Sequence, residues 1–490
     1  MPLFLALDQS TSATKALLFD AAGHALDRES RDHVQHYPQP GWVEHDAEEI
    51  WQNTLTVLRT LLARNPDKVG EIAALSITNQ RETILVFERG TGRPLHRALV
   101  WQDRRGDGFC AAAKRHESLV HRTTGLKIDG YFSASKLQWL VHNQPGLKAK
   151  LADGSALIGT IDAYLIYRLT GGQVFATDTT NASRTLLYDI GRLAWNDELC
   201  ALWEVPRRAL PEVRDCSASF GETTLSGELV EPLPICGVMG DSQASLFAQR
   251  CYAPGAAKVT FGTGSSLLLN IGDTPRFSAQ GVLTALAWSH AGRPTYAFEG
   301  IIISSASTLT WLRDQLGLAA DVPAIEQLAL AVPDNGGVHL VPAFTGLGLP
   351  HWRPDARAAI LGLSSHSDRR HVARAAFESI AFQVRDALDA MRAEAGVPLT
   401  ALHGDGGPTA SKFLMQFCAD LCGVDLRVAT MPDCSPLGAV LAGQLGLGLQ
   451  RDLAGLAALT RDEVIYQPKL AAEKVAALHD GWRQAVGRTL

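Results

Sequence analysis

LFLALDQSTSATKALLFD, residues 3–20, decides how the rest of the chain is read. The continuous apolar run 3–7 suits a strand covered on both faces, and 15–19 can return beside it. Asp8 closes the first strand, where a carboxylate is held rigidly and can hold a cation. The turn that follows crowds short hydroxyl side chains (Thr11, Ser12, Thr14) and unhindered N–H groups into a concavity suited to phosphate oxygens, with Lys15 adding a point charge. Taken alone, such a turn is an ordinary hairpin.

Further along, KVTFGTGSSLLLNIG (258–272) repeats the design, with Thr263 and Gly264 in its turn. Two such hairpins predict two related halves clamping one polyanion. A third glycine cluster, 404–407, follows a short apolar stretch and precedes a helical pattern containing Phe413, Leu414 and Phe417. A turn free of side chains at Gly406 and Gly407 lets a flat base or a phosphate approach the backbone. The chain has no GxxxxGK(S/T), so a P-loop is not the cradle. Asp241, in CGVMGDSQASLF (236–247), lies in a different turn and can accept a proton. One carboxylate for a cation and phosphates and another for a proton is the division of labour of phosphoryl transfer.

A length of 490 residues predicts two large domains, and 46% hydrophobic with 20% charged residues is the composition of a soluble globular protein. The division is expected between 246 and 247, giving domains 1–246 and 247–490. A net charge of -6 makes no case for nucleic acid or a membrane surface. MPLFLALDQS (1–10) is too short and too early interrupted by Asp8 for a signal peptide, and no stretch approaches the ~20 apolar residues of a membrane span; the expected location is the cytoplasm. The eight cysteines are scattered, and Cys418 with Cys422 lacks the partners of a zinc site. Strand-like runs recur at 72–77, 98–101, 235–239, 257–261, 265–271 and 338–341, between helical patterns of which 371–395 and 471–486 are the clearest. Strands and helices mixed throughout predict an α/β class.

Longer segments carry a resemblance: GWVEHDAEEIW (41–51), ITNQRET (77–83), VWQDRR (100–105), GTIDAYLIYRLTGG (159–172), TDTTNASRT (177–185), VPAFTGLGLPHW (341–352) and GDGGPTASKFLMQF (404–417). With the two hairpins and GDSQASLF, this ordered set resembles the FGGY family of carbohydrate kinases, and within it the branch that acts on glycerol. The resemblance implies two ribonuclease-H-like domains of the actin and hexokinase type flanking a central cleft, with ATP, Mg²⁺ and a small polyol or sugar as ligands. It implies that Thr11, Ser12, Thr14, Lys15, Thr263 and Gly264 face the ATP phosphates, that Asp8 holds Mg²⁺, and that Gly406, Gly407, Ser411, Ala306 and Thr310 border the adenosine. The implied substrate contacts are Arg81, Glu82, Trp101, Tyr131 and Asp241. Arg81 and Glu82 would bind a vicinal diol while cancelling each other's charge, and Trp101 would wall the C–H face. Asp241 is the expected general base.

The match breaks in places that bear on substrate. Ser242 stands where glycerol-acting members carry glutamine, and Ser266 where they carry phenylalanine. Both changes remove volume, and Gly130 replaces a proline before Tyr131. A roomier, more polar site makes a tetritol, pentitol or pentulose the competing substrate. Ala306, Thr310 and Ser411 replace glycine, glutamine and asparagine, which redraws the adenine contacts. The stretch LSGELVEPLPICGVMGD (225–241) lacks the basic loop that serves inhibition by fructose 1,6-bisphosphate. A non-catalytic nucleotide or sugar sensor and an actin-like ATPase are the readings from other classes, and the sequence leaves a homo-oligomer open.

Overall fold

The computed structural model describes residues 2–278, 281–431 and 433–490. Its first large sheet runs in the order Ser219–Thr223, Leu233–Gly240, Ile72–Asn79, Leu3–Gln9, Ala13–Asp20, Ala25–Asp32. The first three strands of the chain pair antiparallel, and Ile72–Asn79 and then Leu233–Gly240 add parallel to Leu3–Gln9. The second sheet runs Leu283–His290, Arg293–Ile302, Ser265–Gly272, Ala256–Phe261, Ala401–Asp405, Leu426–Ala429, Glu463–Tyr466. Its inner five strands repeat the plan of the first: three antiparallel neighbours centred on the second hairpin, then two strands added in parallel. Two ribonuclease-H-like halves are therefore present, as expected, each extended by edge strands.

Leu3–Gln9 is buried along its whole length, as a continuous apolar run in a doubly covered sheet requires. Ala25–Asp32, at the edge, carries charges and lies mostly exposed, which blunts that edge against further pairing. The long helix is Arg369–Ala395, capped by Asp368 and His371 in a capping box and ended by Gly396 at φ 61°. Its stripe Ala376, Ile380, Val384 and Leu388 is buried in the second core. A smaller five-stranded sheet is inserted in the first half, in the order Gln35–His36, Glu44–His45, Ala98–Leu99, Ile84–Glu88, Ala156–Thr160. The strand expected at 98–101 is only Ala98–Leu99, because Val100 donates its N–H to the Val43 carbonyl and the chain then turns.

The halves exchange helices. Asp241–Ala248 leaves the last parallel strand of the first sheet and packs on the second sheet, and the expected division at 246/247 lies within this helix. Cys434–Gly446, from the second half, packs on the first sheet, where Val440 joins Phe4, Ala6, Leu17 and Phe19. The two helices meet at Gly438: a Cβ there would lie 1.9 Å from the Ala244 carbonyl oxygen. At Gly446 a Cβ would lie 2.0 Å from the Ser217 carbonyl oxygen. Glycine is required at both positions by backbone approach. Gly438→Ala is expected to lower stability by about 1–3 kcal/mol through overpacking; thermal unfolding checks this, and an unchanged Tm would mean that the helices do not meet as described.

Candidate active site

Leu3–Gln9, Ile72–Asn79 and Leu233–Gly240 are adjacent and parallel, with Asp8 opposite Thr78 and Thr78 opposite Met239. Their carboxyl ends release Asp8, then Arg81 with Glu82, then Asp241 along one edge roughly 10 Å across, which is where open α/β sheets bind ligands. In the second sheet, the carboxyl ends of Ala256–Phe261 and Ala401–Asp405 release the Thr263 turn and the Gly406–Gly407 turn. The two edges face each other. Ser242 Oγ lies 2.9 Å from Ser266 Oγ, Ser435 Oγ donates to the Asp241 carbonyl at 2.9 Å, and Lys15 Nζ lies 3.7 Å from Asp433.

A buried chain of ion pairs lies under the Asp241 end. Arg81 donates through Nη1 to Glu299 at 2.8 Å and to Gln243 at 3.2 Å, and its Nε lies 3.2 Å from Asp241 Oδ1. Arg184 donates through Nε to Glu82 at 2.6 Å and pairs with Glu299 through Nη1. Arg81 and Glu82 each offset the other's charge, while their contact pairs are Glu299 and Arg184. Burial pushes the Glu299 carboxyl up, but Arg184 and Arg81 outweigh it and hold the group down at about 2. Glu82, also buried, is raised. Glu82 has φ 61°, an uncommon conformation for a residue with a side chain, at the point where the chain passes from the large sheet to the small one. Asp241 itself is 40% exposed, fixed by Arg81 and by the Ser242 N–H at 2.6 Å, so its carboxylate is oriented yet open to the cleft.

Trp101 and Tyr131 form the wall beside this chain, with ring centroids 5.4 Å apart. The indole N–H of Trp101 donates to Thr11 Oγ1 at 3.0 Å, tying the wall to the first turn. In that turn Ser10 N–H donates to the Ala13 carbonyl, and Ser12 is exposed. Lys15 donates to Asp8 Oδ2 at 3.2 Å. Burial raises the Asp8 carboxyl from 3.8 to about 6; Lys15 opposes this, while Asp241 and Asp433 add to it. Thr14 corrects the sequence reading: neighbouring residues on a strand point to opposite faces, and Thr14 lies fully buried, its Oγ1 without a hydrogen-bond partner, away from the phosphate face.

Opposite, the Gly262 and Thr263 carbonyls accept from the N–H groups of Ala306, Ser305 and Ser307, which seats the second turn on the start of helix Ser307–Asp314. Ala306 and Thr310 are thereby brought beside Thr263. Gly264 faces the Ile302 carbonyl, where a Cβ would lie 2.5 Å away. Gly406, at φ 97°, abuts the Phe261 carbonyl at 2.0 Å from its ideal Cβ, and next to Gly407 there is open space. Ser411 follows the Gly406–Gly407 turn, and its Oγ accepts from Leu414 N–H at 3.0 Å as the cap of helix Lys412–Cys422 and donates to Glu326 at 2.6 Å.

Sequence reasoning missed Arg184, Glu299, Gln243 and Lys258 as members of the site. Glu299 and Lys258 did carry a signal: each interrupts a buried strand with a charge that must find a partner. A cation fits at Asp8, whose raised carboxyl lies among Asp241, Asp433 and Lys15. No group of three or more His, Cys, Asp or Glu residues able to cage a metal occurs among the described residues, so Asp8 would hold a metal that arrives on phosphates.

Two lobes of like plan, with small-residue turns on facing edges and an open carboxylate beside them, have the layout of a phosphotransferase. Residues 3–248 match the FGGY family of carbohydrate kinases, N-terminal domain, and 257–447 match its C-terminal domain. The chain belongs to the FGGY family of carbohydrate kinases, and is an ATP-dependent kinase of an alcohol group. It is 45% identical over 489 residues to a glycerol kinase of Dechloromonas aromatica, covering 99% of this chain and 97% of that one. It is 43% identical over 488 residues to glycerol kinase 1 of Thermotoga maritima, covering 99% of each. Among solved structures, Plasmodium falciparum glycerol kinase with ADP superposes with a TM-score of 0.95 at 35% identity, over 100% of this chain and 98% of that one. A xylulose kinase of Lactobacillus acidophilus shares the fold, with a TM-score of 0.88 at 21% identity, over 99% of this chain and 97% of that one.

Two substitutions test the electrostatics. Because the folded Asp8 binds its proton more tightly than the unfolded one, its cost to stability is absent below pH 3.8 and complete above about pH 6. Asp8→Asn is therefore expected to stabilise the ligand-free protein by roughly 3 kcal/mol at pH 8 and by little at pH 4. Denaturant titration at the two pH values checks it, and an equal effect at both would refute the assignment. Glu299→Gln leaves two buried guanidinium groups short of one carboxylate and is expected to cost about 3–5 kcal/mol. Calorimetry together with the polyol KM reads the loss, and a neutral effect on both would show that the network is dispensable.

Proposed function

We propose that this chain transfers the γ-phosphoryl group of ATP to a terminal hydroxyl of glycerol. The observation that carries the reading is Asp241, a carboxylate held by Arg81 and 40% exposed, directly before Ser242, whose hydroxyl meets Ser266 of the second half. The relatives named glycerol kinase, at 43–45% identity over nearly the whole chain, support glycerol as the alcohol.

Arg81 and Glu82 bind the two hydroxyls that do not react, the guanidinium donating and the carboxylate accepting. Trp101 and Tyr131 pack against the carbon chain. Asp241 accepts the proton of the remaining hydroxyl as its oxygen bonds to the γ-phosphorus, and the bond from that phosphorus to the bridging oxygen breaks, leaving ADP. Lys15 and the N–H groups of the two turns stabilise the charge spread over the transferred group. Asp8 would hold Mg²⁺, which when bound neutralises phosphate charge. Gly406 and Gly407 offer the bare backbone surface for the adenosine. Closure of the lobes excludes water, the competing acceptor. A sensor of nucleotide alone has no use for a diol pair and an open carboxylate in one cleft.

Asp241→Asn keeps the hydrogen bonds of the site but cannot take the proton. We expect kcat to fall by about two to four orders of magnitude, while calorimetric titration still detects ATP and glycerol binding. An unchanged kcat would remove Asp241 from this role.

A further inference from the structure

Lys258 is buried in the strand Ala256–Phe261, 1% exposed, and among the described residues its ammonium meets only hydroxyls by hydrogen bond: Ser242 Oγ at 2.9 Å and Thr260 Oγ1 at 2.8 Å. An ammonium has no lone pair, so it donates to both. Ser242 Oγ is thereby an acceptor toward Lys258 and keeps its own hydrogen for Ser266 Oγ, 2.9 Å away. Among the described residues Ser242 Oγ makes no other hydrogen bond. The polarity of the chain is then fixed from the buried cation outward: Lys258 to Ser242 to Ser266. The hydrogen of Ser266 is left over, and Ser266, unlike Ser242, is partly exposed. The opposite polarity would strand the spare hydrogen on buried Ser242 and leave it unpaired. Ser242 directly follows Asp241, so this donor opens at the alcohol end of the cleft. Thr260 and Ser266 are cross-strand partners, which fixes the position of the relay on a rigid sheet.

Resting on the reading above that the chain is a polyol kinase, we propose that Ser266 is a specificity-determining hydrogen-bond donor that lets the site take four-carbon polyols, erythritol or threitol, as well as glycerol. Two small side chains leave room for a further CHOH, and a fixed donor gives its oxygen a partner. An apolar wall at the same place would leave that oxygen unpaired and reject it.

The test uses the full-length enzyme, with coupled ADP detection and glycerol, erythritol, D-threitol and D-ribulose as alcohols. The expected result is turnover of a tetritol well above ATP hydrolysis without alcohol. Ser266→Ala should lower the tetritol-to-glycerol ratio of kcat/KM by about fivefold, the worth of one neutral hydrogen bond. Ser266→Thr keeps the hydroxyl and should keep the ratio; Ser266→Phe should abolish tetritol turnover. Phosphorylation of glycerol but of no tetritol, or a ratio unmoved by Ser266→Ala, overturns this inference and leaves the proposed function standing. Selective loss of ribulose alone would assign the donor to a carbonyl and likewise overturn it. Phosphorylation of none of the four overturns the polyol-kinase reading itself.

Discussion

The alternating pairs Glu82, Arg184, Glu299, Arg81 and Asp241 are the constraint on which the site depends. The five come from four parts of the chain: Arg81 and Glu82 from the passage between two sheets, Arg184 from the turn after a short helix, Glu299 from a strand of the second half, and Asp241 from the start of the exchanged helix. Burial makes Glu82, Arg184, Glu299 and Arg81 costly to leave unpaired, and Glu299 comes from the second half, so the set is satisfied only when both lobes are docked. The geometry that orients Asp241 is thus bound to completion of the fold. Such networks contribute specificity of arrangement more than net stability.

The two ends of the cleft are electrostatically different. At the Asp241 end, every carboxylate touches a guanidinium and the one open carboxylate is clamped. At the first phosphate turn, Asp8 is buried with a single shared lysine and feels two further carboxylates. That end is tuned to a positive charge brought by a ligand, and the protein alone leaves it incompletely balanced. The same separation gives the two aspartates, 8 and 241, different surroundings although their strands lie in one sheet.

Much of this was legible before any coordinates. The hairpins 3–20 and 258–272 announced themselves because strand periodicity and a small-residue turn coincide, and the repeat of the pair implied two like halves. The strands Leu283–His290 and Arg293–Ile302 were not anticipated. Pro294, Glu299 and Gly300 break the apolar pattern, and only pairing with Ser265–Gly272 makes the segment a strand. Thr14 was placed with the phosphates because it stands in a hydroxyl-rich run, yet the alternation of strand side chains turns it inward. Ser411 reads equally as a helix cap, which is what it is. The relay through Ser242 and Ser266 was invisible as a relay: sequence shows two small residues where larger ones are usual, and only the folded position of Lys258 gives them a direction.

The helix Cys434–Gly446 has one more consequence. It covers the face of the first sheet with residues synthesised long after that sheet, and Val440 completes a cluster begun by Phe4 and Ala6. On the ribosome, the amino-terminal lobe therefore emerges with part of its sheet uncovered until Cys434–Gly446 arrives, well after Ala248. The first half completes this part of its core only with residues of the second.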